Sequence, residues 1–112
     1  MNRRIVASII FVDETTRSAF KDDEASEFTD ADFDRKEAVD FESDPTGNAV
    51  KGRRIDLVFK EAAKADKAFD KLAKHLDKVS ATGMISIHDC THDLPESQWK
   101  PCTTTNYKEV TA

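Results

Sequence analysis

Ile5-Val6-Ala7-Ser8-Ile9-Ile10-Phe11-Val12 is the stretch on which the fold turns. At the two-residue period of a strand, Ile5, Ala7, Ile9 and Phe11 share one face, while Val6, Ser8, Ile10 and Val12 share the other. β-branched residues dominate it, which favours a strand over a helix. A strand apolar on both faces belongs in the middle of a sheet. Asn2-Arg3-Arg4 before it imitates the basic start of an export signal, but Asp13-Glu14 follows at once, with no small-residue cleavage site. The stretch therefore reads as structure, and a cytoplasmic address is the default expectation.

Downstream, Val39 and Phe41 alternate with Ala38, Asp40 and Glu42, the pattern of an edge strand with one buried face. Asp44-Pro45-Thr46-Gly47 supplies a turn, with Pro set for its second position and Gly at its fourth. Ile55-Asp56-Leu57-Val58-Phe59 then alternates as the next strand. Ala62, Ala65, Phe69, Leu72, Leu76 and Val79 recur at spacings of 3 and 4, which predicts a helix over residues 61–81 with Gly83 marking its end. Met84 to His92 reads as a strand with Ile85 and Ile87 on one face.

The resulting order, βαββαβ, predicts an α+β domain of the ferredoxin-like kind over residues 1–93: an antiparallel sheet, helices on one face, and an acidic helical or loop insert at about residues 13–36. Residues 94–112 are expected to form an irregular C-terminal tail. Thr103 to Thr111 carries enough Thr, Tyr and Val for a late strand, and Pro95, Trp99 and Pro101 suggest that the tail docks.

The chain has 112 residues and a formal charge of −5. Leu, Ile, Val and Phe supply 24 of those residues, enough for one small core. No apolar run approaches the ~20 residues of a membrane-spanning helix. The charge is segregated. From Asp13 to Asp44 there are thirteen acidic and four basic residues, a net −9, and the rest of the chain is net +4.

The same order resembles that of the RNA-recognition motif family over roughly residues 4–92. Lys51-Gly52 before the third strand, and Val58-Phe59 leading into Glu61-Ala62-Ala63-Lys64-Ala65-Asp66-Lys67-Ala68-Phe69, carry the resemblance. It implies a shared topology. The family's stacking aromatics are missing from Arg53 to Val58, and the net charge is negative, so nucleic acid is not an expected partner.

Several motifs bear on chemistry. His88, Cys90 and His92 alternate, so one strand would present all three on one face, and Cys102 can return to it through the tail. Imidazole and thiolate are the usual ligands of tetrahedral zinc, although the paired C-x2-4-C spacing is absent. A cysteine nucleophile is less well supplied: Asp89 faces the wrong way and no glycine-rich loop offers an oxyanion hole, so catalysis is not expected. Asp30-Ala31-Asp32-Phe33-Asp34 copies the opening of a calcium loop, but Arg35 replaces the required Gly and Phe41 the final Glu. Lys60, Lys64, Lys67, Lys71, Lys74 and Lys78 lie opposite the apolar stripe of the long helix and read as a solvated face.

The expectation that follows is a small binding or regulatory protein. Its acidic segment, with Asp22, Asp23, Glu24, Glu27, Phe28, Asp30, Asp32 and Phe33 as contacts, would meet a partner protein with a basic surface, in one version competing with nucleic acid for it. The alternative is a metal-binding or small-ligand domain using the open sheet face, with zinc held by His88, Cys90, His92 and Cys102. Val6, Ile10, Val12 and Val58 on that face would also suit a homodimer packed sheet to sheet.

Overall fold

The protein is described by a computed structural model over residues 2–28 and 32–111. Among those residues the elements run β1 (Asn2–Phe11), α1 (Glu14–Glu27), β2 (Arg35–Ser43), β3 (Ala49–Phe59), α2 (Ala62–Leu76), β4 (Ala81–Cys90), a 3-10 turn at Glu96–Gln98, and β5 (Thr103–Val110). The architecture is α+β. The five strands form one antiparallel sheet in the order β2-β3-β1-β4-β5.

β1 is central, as its two apolar faces demand, and is paired along almost its whole length with both β3 and β4. Ile5, Ala7, Ile9 and Phe11 point under the helices and join Ile55, Leu57, Phe59, Ile85 and Ile87 in the core. α2 closes it from above with Ala65, Ala68, Phe69, Leu72 and Leu76, and its lysine row stays exposed as expected. Gly83 has no room for a side chain, because a Cβ there would lie 2.1 Å from the carbonyl oxygen of Ser8 on β1.

Three boundaries differ from the sequence reading. α2 stops at Leu76, since pairing with Phe11 draws Ala81 into β4, and Gly83 lies inside that strand instead of capping the helix. Val39 is 58% exposed: it pairs with Arg54 on the face away from the helices, so the apolar side of β2 is not its buried side. The C-terminal tail is not irregular throughout, because residues 103–110 pair with β4 as an edge strand.

The acidic insert holds one 14-residue helix, α1. Asp13 caps it, accepting from the Thr16 amide at 2.7 Å. Its inward face is Arg17, Phe20 and Glu24, two charges around one ring. Phe20 packs on Phe11 with ring centroids 5.2 Å apart. The charges meet others on the same side of the sheet. Arg53 donates to both oxygens of Glu24, at 3.1 and 2.6 Å, and to Asp40, its cross-strand neighbour, at 2.8 Å. Lys36 reaches Glu24 at 2.8 Å, and Lys21 reaches Asp40 at 2.7 Å. Arg17 donates to the carbonyls of Gly52 and Phe41 beside the irregularity at Phe41/Ser43, where the β2–β3 ladder slips and leaves backbone acceptors to be satisfied.

Burial pushes the Glu24 carboxyl up, but hydrogen bonds from Arg53 and Lys36 outweigh it, and the net shift is downward. A carboxyl whose folded pKa is depressed contributes stability above its unfolded pKa of about 4.3, and loses that contribution as pH falls through the lower folded value. Glu24→Gln should therefore cost about 3 kcal/mol at pH 7, since it leaves Arg53 and Lys36 short of a buried partner. Below pH ~4.3 the variant's stability should fall less steeply than that of the parent. Urea unfolding from pH 7 to pH 3 measures both, and parallel curves would exclude the role.

Candidate functional site

The strand register assembles a row of side chains across the open face of the sheet. Arg35, Val58, Arg4, His88 and Thr104 stand abreast on β2, β3, β1, β4 and β5. Cys90 follows His88 by two residues and so shares its face. The β4–β5 ladder ends at Asp89 opposite Thr103, so Cys90 and Cys102 are the residues next beyond it on the two sides. Their Sγ atoms are 2.7 Å apart, and both cysteines are free thiols. His88 completes the group: one ligand atom from each of His88, Cys90 and Cys102 falls within 4.8 Å of the others.

The segment between the cysteines is itself organised. Thr91 Oγ1 accepts from the Lys100 amide at 2.8 Å and donates to the Lys100 carbonyl at 3.2 Å, which pins the two ends together. Trp99 donates from Nε1 to the Leu94 carbonyl at 2.8 Å and meets the His92 ring edge-on, with centroids 5.4 Å apart. That contact is where His92 goes. β4 ends at Cys90, the alternation does not continue, and His92 sits exposed on the loop, outside the donor group of the other three residues. The four expected ligands thus become a cluster of three.

The electrostatics of the cluster are governed by burial and by Arg4, which pairs with Asp56 one strand over. Burial lowers the His88 pKa, and the Arg4 charge lowers it further, so the imidazole is neutral at pH 7 with a lone pair to offer. Cys90 is 2% exposed. Burial first, then the neighbouring Cys102, pushes its thiol up to about 11, against a smaller opposing pull from Arg4. Beside the group lies a cavity of about 370 Å³ lined by Arg4, Val58, Lys60, Cys90, His92 and Asp93 among others.

The acidic contacts are distributed differently from the sequence reading. Glu24 is 2% exposed and Phe28 5%, both inside the fold: Glu24 in the ion-pair network, Phe28 in the core with Lys71 over its ring. Phe33, Glu27 and Asp32 are half-buried, Phe33 against the core. Asp22 and Asp23 are exposed on α1. Asp30 lies outside the described residues. Asp34, from the calcium-like motif, accepts from the Lys60 amide at 2.7 Å and so ties the entry of β2 to the end of β3. Spacing alone did not reveal Arg4 as a neighbour of the thiols, because its place depends on cross-strand register.

Among the described residues no helix is long and apolar enough to cross a membrane. Comparison of the chain with family models, with curated proteins and with solved structures finds no match.

The two thiols should differ sharply in reactivity. A shift from an ordinary value near 9 to about 11 leaves Cys90 with about a hundredfold less thiolate at pH 8, and its burial restricts access as well. Iodoacetamide at pH 8, followed by peptide mass analysis, should label Cys102 first and Cys90 only on unfolding. Equal labelling rates would contradict this environment.

Proposed function

We propose that the chain is a metal-binding domain that takes one zinc-class ion between His88, Cys90 and Cys102. The observation that carries the reading is the convergence within 4.8 Å of those three donor atoms, two from the end of β4 and one from the loop residue just before β5. Tetrahedral zinc, with bonds of about 2.3 Å to sulfur and 2.0 Å to nitrogen, needs its donors roughly 3.5–3.8 Å apart. The cysteine sulfurs must therefore separate by about 1 Å from their present contact, a movement that exposed Cys102 can make from the loop end. Two thiolates neutralise a divalent ion, neutral His88 adds no charge, and Arg4 is left to face Cys90 with its own charge offset by Asp56. The fourth position falls to water or to a ligand entering from the adjoining cavity. We read the scaffold as ferredoxin-like with an added edge strand, supported by the order β2-β3-β1-β4 in the sheet.

Titrating the reduced protein with Co²⁺ and competing with Zn²⁺ tests the reading. One ion per chain is expected, with a sulfur-to-cobalt charge-transfer band that Cys102→Ser removes. His88→Ala should weaken binding at least about tenfold, and His92→Ala should leave it unchanged. Absence of uptake by the reduced chain, or dependence on His92, would refute it.

A protein contact is the second reading. Ile10, Val39, Met84 and Tyr107 stand exposed on the open face, at 36%, 58%, 49% and 61%. A second copy packed against it would cover them, while a partner with a basic surface would find Asp22 and Asp23 on the opposite side of the molecule. Sedimentation should give a dimer that Met84→Asp with Tyr107→Asp converts to monomer, and a monomer at all concentrations would exclude the sheet-to-sheet contact.

A further inference from the structure

We infer that Cys90 and Cys102 are a redox pair which a hydroperoxide closes into an intramolecular disulfide and a dithiol reductant reopens. This goes beyond metal binding, because it concerns the unmetallated chain, though it uses the same two sulfurs.

The argument is geometric. Cys90 ends β4 and Cys102 immediately precedes β5, each one residue beyond the last paired rung, Asp89 opposite Thr103, and their sulfurs are in contact at 2.7 Å. Directly opposite residues at the ladder end have Cβ atoms about 4.5–5.5 Å apart, against about 3.5–4.5 Å across a disulfide, so residues one step beyond that end need an approach of up to about 1 Å. The chain between them is already folded back on itself by the Thr91–Lys100 and Trp99–Leu94 hydrogen bonds. Closure thus needs a small approach at one ladder end and leaves the loop as it is. The two sulfurs also differ in access. Cys102 is exposed and Cys90 is buried, so an incoming oxidant meets Cys102 and finds Cys90 directly behind it.

The steps balance. Cys102, as thiolate, attacks one oxygen of the hydroperoxide. The O–O bond breaks, the other oxygen leaves as alkoxide or hydroxide and takes up a proton, and Cys102 becomes a sulfenic acid. The Cys90 sulfur then attacks the Cys102 sulfur. The S–O bond breaks, and the departing hydroxide leaves as water with the proton of Cys90. Two thiols and one hydroperoxide give one disulfide, one water and one alcohol (a second water for hydrogen peroxide), with two electrons passing to the peroxide. The closed bond and a metal ion compete for both sulfurs, so oxidation would expel the ion.

The test is intact-mass analysis of the full chain, reduced, treated with chelator and then given one equivalent of hydrogen peroxide. A loss of about 2 Da without covalent dimer, a thiol titre falling from two to none, and full reversal by dithiothreitol are expected. In Cys90→Ser the sulfenic acid should accumulate on Cys102, where dimedone traps it. Covalent dimers, a gain of about 32 Da on Cys102 with Cys90 still alkylatable, or both thiols surviving intact would overturn the inference. The two readings fail separately. A chain that closes but takes up no Co²⁺ loses only the metal centre, and one that binds Co²⁺ yet does not close after chelation loses only the redox pair.

Discussion

Two-sided pairing of β1 is the constraint on which the remaining structure depends. With β3 on one edge and β4 on the other, every inward residue from Ile5 to Phe11 is shut away from water, and the helices have a continuous apolar floor to cover. The tight approach of β4 to β1 at Gly83 belongs to the same constraint, since any side chain there would push Ser8 and Ile9 away. From that pairing follows the register of β4, and from β4 the register of β5. The neighbourhood of Arg4, His88, Cys90 and Cys102 is therefore fixed by an element that contributes only Arg4 to it.

The two helices are held by different forces. α2 lays an apolar stripe on β1 and β4, in the ordinary manner of an amphipathic helix. α1 offers Phe20 alone as a large buried apolar group and otherwise meets β2 and β3 through Arg17, Glu24, Arg53, Asp40 and Lys36. Part of the segregated acidity, buried Glu24 and half-buried Asp40, faces basic residues that are remote in the chain and adjacent in space.

That division explains what could be read in advance. Periodicity is a statement about apolar residues, so it found β1 and α2, while turn chemistry at Asp44-Pro45-Thr46-Gly47 found the β2–β3 turn, where Gly47 takes a positive φ of 88°. It was silent on the Arg17–Phe20–Glu24 face, whose spacing is helical but whose chemistry is charged. It also misassigned β2, where Val39 and Phe41 lie on the open face and Asp40 and Lys36 face the helix side: alternation identifies two faces without saying which is inside. Alternation likewise united His88, Cys90 and His92, and failed at the third because the strand ends at Cys90, where the chain turns toward Trp99. The return of Cys102 to Cys90 depended on β5 pairing with β4, which Thr-rich composition hinted at and register made definite.

The ionic seating of α1 also bears on how the sequence can drift. An apolar contact under α2 accepts neighbours of similar volume one at a time, because dispersion and burial have no sign. Arg53, shared between Glu24 and Asp40, has a sign on both sides. A change at any one of these three positions takes a partner from the other charges in the network, and only a second change of matching sign restores it. Related chains should then keep α2 as a loosely varying surface of similar sizes, whereas residues 17, 24, 40 and 53 should change together or stay as they are. The half of the molecule that is most polar in composition would be the slower to diverge.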